Sequence, residues 1–118
     1  MLFRSWQDGA VGVTNILFLC SRNRRRSPTA ERVFADREGI ETDSAGLAPD
    51  ADVRVSLDQL HWADLVVVME KKHRSALARQ FGRHIARTRV VCLDIPDRYE
   101  FMDPELIEQL ERKMARYV

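Results

Sequence analysis

A cysteine and an arginine with five residues between them are the side chains of this sequence best placed to do chemistry together. Cys20 is followed by an arginine-rich loop (residues 21–25), and Arg26 comes directly after it. The guanidinium of Arg26 can offer two parallel donors to a phosphate or a similar oxyanion. Backbone N–H groups of a tight loop beside a helix start can bind the same anion. Because such a positive field favours thiolate over thiol, we predict that Cys20 is a nucleophile for phosphoryl transfer through a cysteinyl-phosphate.

The residues on either side of this loop predict the strand and the helix that hold it. Four apolar residues, 16 to 19, run directly into Cys20, as expected for a buried parallel strand. Ser27 is a suitable N-cap for the helix that follows, and Pro28 is suited to its first position. Cys20 is then expected at the carboxyl end of a strand, which is the edge of an open α/β sheet where ligands bind.

The rest of the chain alternates strands with helices. We predict further strands at residues 40–43, 65–69 and 89–93. We predict helices from residue 28 to Gly39, at 56–62, at 71–81 and from residue 104 onward, with Asp103 as the N-cap of the last helix. Residues 43–46 read as a turn that ends the second strand. This alternation predicts an α/β fold with a doubly wound parallel sheet.

Length, charge and cysteine content narrow the class of protein. A chain of 118 residues with 45% hydrophobic residues can form one domain, which we expect at residues 15–118 after an N-terminal extension at 1–14. A formal net charge of +1 gives no general argument for binding nucleic acid or a membrane. Two cysteines without a convincing signal peptide predict a reducing, cytoplasmic setting.

Several polar residues are expected to have no special role. The three histidines, His61, His73 and His84, show no metal-ligand spacing, and we expect helix-surface or partly packed positions for them and no metal site. The run of residues 70–72 reads as a solvated helix start. Cys92, within the fourth strand, reads as a small core residue.

The loop and its flanks resemble the low-molecular-weight protein tyrosine phosphatase family. That family carries Cys-x-x-Asn-x-x-Arg-Ser-Pro, and the matching stretch here is Cys20-Ser21-Arg22-Asn23-Arg24-Arg25-Arg26-Ser27-Pro28. The resemblance implies a three-layer α/β/α fold of the phosphotyrosine protein phosphatase I type, with four parallel strands in the order 2-1-3-4. It also implies a cysteine-dependent hydrolase that needs no metal or cofactor. The substrate would be a phosphorylated protein or a small phosphate monoester.

The resemblance assigns roles to the residues of this loop. Catalysis falls to Cys20 and Arg26, and phosphate binding falls to the P-loop residues Ser21, Arg22, Asn23, Arg24, Arg25, Arg26 and Ser27. Asn23 is expected to hold the loop at a positive φ, which asparagine tolerates, and Ser27 is expected to donate to the thiolate. Ser44, in a Ser-Ala-Gly sequence typical of the family, is expected to support the loop by hydrogen bonding.

The general acid is expected in the loop after the fourth strand. Asp94 and Asp97 both lie there, at the carboxyl edge of the sheet that also carries Cys20. The resemblance favours Asp97 as the acid and makes Tyr99 a contact for a substrate ring, with Asp94 as the alternative. The chain is short after Gly46, where the family usually carries an aromatic wall, so we expect a shallower and more open pocket.

Two other classes of function remain open from the sequence. Arsenate reductases use a similar loop with further reactive cysteines, and here only Cys92 is available for that role. A non-catalytic module could instead bind an anion or a nucleic acid through the arginine-rich loop, with strong salt dependence. The absence of aromatic residues between positions 20 and 27 argues against nucleic acid as the partner.

Overall fold

The computed structural model describes residues 12 to 118 of the chain. The predicted N-terminal extension at 1–14 lies almost wholly outside the described residues, and its boundary with the domain stays a prediction. No helix among residues 12–118 is both long enough and apolar enough to cross a bilayer.

Four parallel strands form one sheet in the order β2-β1-β3-β4, which confirms the predicted topology. The strands are β1 (Thr14–Cys20), β2 (Ile40–Gly46), β3 (Leu65–Val68) and β4 (Arg89–Cys92). β1 pairs with β2 along its whole length, so that Cys20 and Gly46 are partners at the carboxyl edge. The neighbour of β1 on its other side is β3. This central position explains the continuous apolar sequence of β1, because both of its faces are covered.

Helices cover both faces of the sheet, which gives the predicted three layers. They are α1 (Arg26–Phe34), α2 (Leu57–Trp62), α3 (Lys71–Phe81) and α4 (Pro104–Met114), with a single 3₁₀ turn at Gly82–His84 after α3. Asp103 caps α4 as predicted, by accepting a hydrogen bond from the N–H of Glu105.

Alternate residues of β1 point into the two layers. Ile16, Phe18 and Cys20 pack on the side of α1 and α4, whereas Leu17 and Leu19 pack on the side of α2 and α3. Cys20 therefore ends its strand on the α1 side, directly beneath the start of the helix that follows it. This places the loop and the first turn of α1 above the sulfur.

Three local predictions differ from the structure. The N-cap of α1 is Arg25 and not Ser27, which lies inside the first turn, and α1 ends at Phe34, five residues before Gly39. Ser27 is displaced from the capping role because its hydroxyl bonds inside the site described below. Residues 43–46 are not a turn but the last part of β2, because β2 pairs with the full length of β1.

Candidate active site

The backbone of the arginine-rich loop is turned so that its N–H groups face one side. The carbonyl oxygens of residues 20–22 accept hydrogen bonds from backbone N–H groups of residues 47–52, at 2.8–3.0 Å. In a planar trans peptide the next N–H points opposite to the carbonyl. The N–H groups of residues 21–23 are therefore directed away from the 47–52 segment. Within residues 12–118, no acceptor of the protein pairs with them, so they are free to bind an anion.

The end of β2 lies directly against this loop, and that explains the glycine found there. A Cβ atom added at Gly46 would lie 2.5 Å from the carbonyl oxygen of Ser21 and 2.6 Å from the Cβ of Ala51. Both distances are far shorter than any ordinary contact. Gly46 is needed for close backbone approach and not for a special backbone angle.

A buried polar network fixes the middle of the loop. Asn23 has a φ of 60°, as expected for its place in the loop. Its Nδ2 donates to the hydroxyl oxygens of Ser27 and Ser44, each at 3.0 Å, and Ser44 in turn donates to the carboxylate of Glu31. Because these partners lie on α1 and β2, the strained residue of the loop is attached to both neighbouring elements.

The sulfur of Cys20 is buried at the base of the loop. Its side chain is 3% exposed, and Sγ lies 2.9 Å from the hydroxyl oxygen of Ser27. The Ser27 oxygen accepts a hydrogen bond from Asn23. Its one hydrogen has two acceptors within reach, the sulfur at 2.9 Å and the backbone oxygen of Ala45 at 3.4 Å, and the sulfur is the nearer of the two. A hydroxyl hydrogen directed at the sulfur can stabilise negative charge that develops on it during a reaction. The side chains of Asn23 and Ser27 thus support the loop and the sulfur. They do not line the open cavity that Cys20 and Arg26 share.

Arg26 is buried and is held from three directions. Its Nη1 donates to the carboxylate of Glu70 and to the backbone oxygen of Ile95, both at 2.7 Å. Its Nε lies 3.8 Å from Oδ1 of Asp97. These partners follow β3 and β4 in the chain, so that the guanidinium is fixed by the two strands beyond β1. Fixed donors of this kind stabilise charge without reorganising during a reaction.

Glu70 has a role that the sequence did not reveal. The run 70–72 was expected to be a solvated helix start, whereas the Glu70 carboxylate is half-buried against Arg26. Burial raises the pKa of Glu70. The hydrogen bond and charge of Arg26, together with Lys72 and His73, lower it by more, so the net pKa is below the usual 4.5. Glu70 is therefore an anion near neutral pH and balances the buried guanidinium.

Of the two candidate acids, Asp97 alone faces the cavity. Asp97 lines it together with Cys20 and Arg26, and half of its side chain is exposed. Asp94 adopts a φ of 55° and lies outside the cavity, where it accepts a weak hydrogen bond from the Cys92 sulfur at 3.5 Å. The geometry thus favours Asp97 for a proton transfer near the sulfur.

These groups surround one open cavity of about 510 Å³. It is lined by Cys20, Ser21, Arg22, Arg24, Arg25, Arg26, Ala48, Asp50, Lys72 and Asp97. No aromatic side chain of residues 12–118 takes part in this lining. The prediction that Tyr99 contacts a substrate ring is wrong, because Tyr99 is only 4% exposed. Its ring packs in the core beside α4, and its hydroxyl accepts from Gln109.

The three remaining arginines of the loop lie at the rim of the cavity with acidic partners. The ion pairs are Arg22–Asp50 at 3.5 Å, Arg24–Asp52 at 3.1 Å and Arg25–Glu100 at 4.0 Å. All of these side chains are largely exposed, where such pairs contribute little to stability. Their charges are locally balanced, which weakens the view of the loop as a polyanion-binding surface.

His73 is the second residue whose position was not predicted. It was expected at a helix-surface or partly packed position, yet its side chain is buried. Nδ1 accepts the backbone N–H of Glu70 at 3.0 Å, and Nε2 lies 3.0 Å from the hydroxyl oxygen of Ser21. Burial, and then the charge of Arg26, lowers the pKa of His73 from 6.5 to about 4, so the ring is neutral near pH 7. The one local hint was the Glu-x-x-His spacing at a helix start, a variant of the capping box.

Cys92, predicted to be a small core residue, is half-buried at the end of β4 and packs against the core on the side of α2 and α3. Burial raises the pKa of its thiol, which makes it less reactive. β3 separates β4 from β1, so the backbones at Cys92 and Cys20 are about two strand spacings, or roughly 10 Å, apart. A disulfide needs Cα atoms within about 7 Å. This arrangement gives no support to an arsenate reductase that uses the two cysteines together.

Comparison with known proteins gives similarity both in sequence and in structure. No protein-family model matches the chain. The protein-arginine-phosphatase of Bacillus subtilis (strain 168) is 32% identical, in an alignment that covers 59% of this chain and 65% of that protein. The chain therefore spans slightly less than two thirds of the length of that relative.

Solved structures extend the likeness to nearly the whole chain. A cysteine-to-serine mutant of YwlE arginine phosphatase, with a phosphorylated active site serine, has a TM-score of 0.67 and 26% identity, covering 87% of this chain and 94% of that one. The tyrosine phosphatase Wzb from Escherichia coli K30, in complex with phosphate, has a TM-score of 0.72 and 22% identity, covering 89% and 96%. At the latter identity the likeness shows the fold alone. In sequence and in fold the chain is thus similar to YwlE arginine phosphatase, and in fold alone it is similar to the tyrosine phosphatase Wzb.

Proposed function

We propose that this protein is a cysteine-dependent phosphatase that hydrolyses phosphate monoesters, and by analogy phosphoarginine, through a cysteinyl-phosphate intermediate. The observation that carries the proposal is the convergence of Cys20, Arg26 and Asp97 on one cavity, beneath free backbone N–H groups of the loop. The likeness to YwlE supports the covalent step, since a serine in place of its cysteine is found phosphorylated.

In the first step the Cys20 thiolate attacks the phosphorus of the bound substrate. The phosphoryl oxygens accept hydrogen bonds from the loop N–H groups and from Arg26, which neutralise the charge of the transition state. The bond between phosphorus and the leaving atom breaks, and the Asp97 carboxyl donates its proton to that atom. The products are the free leaving group, a cysteinyl-phosphate and an Asp97 carboxylate.

In the second step a water molecule attacks the phosphocysteine. The Asp97 carboxylate accepts a proton from the water, and the bond between phosphorus and sulfur breaks. The sulfur leaves as a thiolate, which is stabilised by the hydroxyl of Ser27 at 2.9 Å. Inorganic phosphate is released and Asp97 is protonated again, so the cycle closes without any added group.

The proposed substrate is a phosphorylated protein side chain or a small phosphate ester. Since no aromatic side chain of residues 12–118 lines the cavity, the described part of the protein would recognise the phosphoryl group more strongly than the group that carries it. Phosphotyrosine and phosphoarginine, suggested by the relatives, are then both candidates. The two free thiols among the described residues suit a reducing compartment, and we infer that the protein works in the cytoplasm.

The test is hydrolysis of p-nitrophenyl phosphate by the wild type and by four variants. Cys20→Ser should abolish turnover, and Asp97→Ala should lower kcat about 10²–10⁴-fold, as expected for loss of a general acid. The matched controls are Cys92→Ser and Asp94→Ala, which replace the same residue types outside the cavity and should leave turnover nearly unchanged. Turnover that survives Cys20→Ser would refute the proposal, and an effect of Asp94→Ala equal to that of Asp97→Ala would refute the assignment of the acid.

A further inference from the structure

The mechanism above leaves a buried histidine unused. His73 is 2% exposed, and a titratable ring is seldom buried next to a reactive cysteine without a structural or chemical reason. Its two ring nitrogens both have partners within 3.0 Å. One partner, Ser21, is the residue that directly follows Cys20 and lines the cavity.

The contacts of His73 settle which nitrogen carries the hydrogen. Nδ1 accepts from the backbone N–H of Glu70, so it carries no hydrogen of its own. In the neutral ring the hydrogen therefore sits on Nε2, which donates to the hydroxyl oxygen of Ser21. The Ser21 hydroxyl is then an acceptor from His73 and keeps its own hydrogen for an acceptor in the cavity.

The same helix start also holds the other end of the loop. Glu70, three residues before His73, binds the Arg26 guanidinium at 2.7 Å. Residues 70–73, one turn of chain, thus contact Ser21 at the start of the loop and Arg26 at its end.

From these contacts we infer that His73 is a positioning residue that fixes Ser21 for anion binding, so that residues 70–73 hold the loop at both ends. The inference rests on the proposed function only in taking the anion to be the phosphoryl group of a substrate. The hydrogen bond from His73 Nε2 to Ser21 Oγ increases the affinity of the cavity for a tetrahedral oxyanion. His73 itself does not touch the anion and acts through Ser21.

Two substitutions of His73 separate its two hydrogen bonds. In His73→Gln the side-chain amide nitrogen can take the place of Nε2 and keep the bond to Ser21. In His73→Asn the shorter side chain can take the place of Nδ1 and keep only the bond to the Glu70 N–H. A general structural role would be harmed by both substitutions, whereas a role through Ser21 would be rescued by His73→Gln alone.

The measurement is the affinity for sulfate at pH 7, by isothermal titration calorimetry, in the wild type and the variants. We expect His73→Asn and Ser21→Ala each to weaken binding about five- to tenfold, the loss typical of one hydrogen bond. His73→Gln should stay within about twofold of the wild type. The double variant Ser21→Ala/His73→Asn should bind no more weakly than Ser21→Ala alone, because His73 acts only through the hydroxyl that Ser21→Ala removes.

Three results would overturn the inference. They are equal affinities of His73→Asn and His73→Gln, an unchanged affinity of Ser21→Ala, or losses that add up in the double variant. Sulfate binding requires no turnover, so this outcome is separate from that of the phosphatase assay. A wild type that binds sulfate as described but hydrolyses no phosphate ester would refute the proposed function and leave the role of His73 intact.

Discussion

Acid should destabilise this protein in a pH range where most carboxylates are still ionised, and His73 is the reason. Burial and the Arg26 charge lower the pKa of His73 from 6.5 to about 4 in the folded state. In the unfolded chain the ring should titrate near 6.5, so between these two values the unfolded state binds the extra proton. Stability therefore falls as the pH is lowered through this window.

The size of the effect follows from the two pKa values. Each pH unit below 6.5 costs about 1.36 kcal/mol, so the wild type should lose roughly 2 kcal/mol of unfolding free energy from this one group by pH 5. His73→Gln removes the titrating ring and should remove this loss, whatever its effect on stability at pH 7. The quantity of interest is thus the change between pH 7 and pH 5 in each protein.

Urea unfolding followed by circular dichroism at pH 7, 6 and 5 measures this change. His61→Gln and His84→Gln are the matched controls, since both of these histidines are exposed, and they should retain the wild-type dependence on pH. If the wild type and His73→Gln lost the same unfolding free energy between pH 7 and pH 5, the ring would not be buried in its neutral form. The reasoning about its hydrogen on Nε2 would then fail as well.

Two further substitutions test the supports of the site. Glu70→Gln should lower the unfolding free energy by about 1–3 kcal/mol in urea, because the buried Arg26 loses a charged acceptor; unchanged stability would mean that Asp97 and the Ile95 oxygen suffice. Gly46→Ala should cost about 1–3 kcal/mol through overpacking and also weaken sulfate binding, because its Cβ would collide with the Ser21 carbonyl oxygen. Gly82→Ala, where a Cβ has no neighbour within 4 Å, is the control for the second substitution, and equal effects of the two would contradict the packing argument.

The sequence predicts the fold and the centre of the site because both leave local patterns. A strand covered on both faces is continuously apolar, and such runs mark β1, β3 and most of β4. Cys20, Asn23 and Arg26 lie within one short stretch of sequence, so their motif can be recognised without knowledge of the fold. The sheet order itself came from the family resemblance and not from the residues.

The residues that were missed or misassigned take their roles from distant parts of the chain. Glu70 and His73 meet Arg26 and Ser21 across 44 and 52 positions of sequence, and nothing in the composition of their helix indicates these partners. Tyr99 follows the acid loop as a substrate contact would, but the packing of α4 draws its ring into the core. Burial of a single side chain is decided by tertiary packing, which local pattern does not report.

The contact between Arg26 and the backbone oxygen of Ile95 also has a consequence for folding. These residues are 69 positions apart, and the Glu70 carboxylate joins them from a third part of the chain. Closing such long loops is slow, and its entropy cost is offset by favourable contacts only when the whole sheet is in place. The strand and loop that carry Cys20 can form early, but the anion site is completed only when β4 docks at the edge of the sheet. Anion binding therefore reports the last stage of assembly, and a ligand that occupies the site will stabilise the complete fold over any partly folded form.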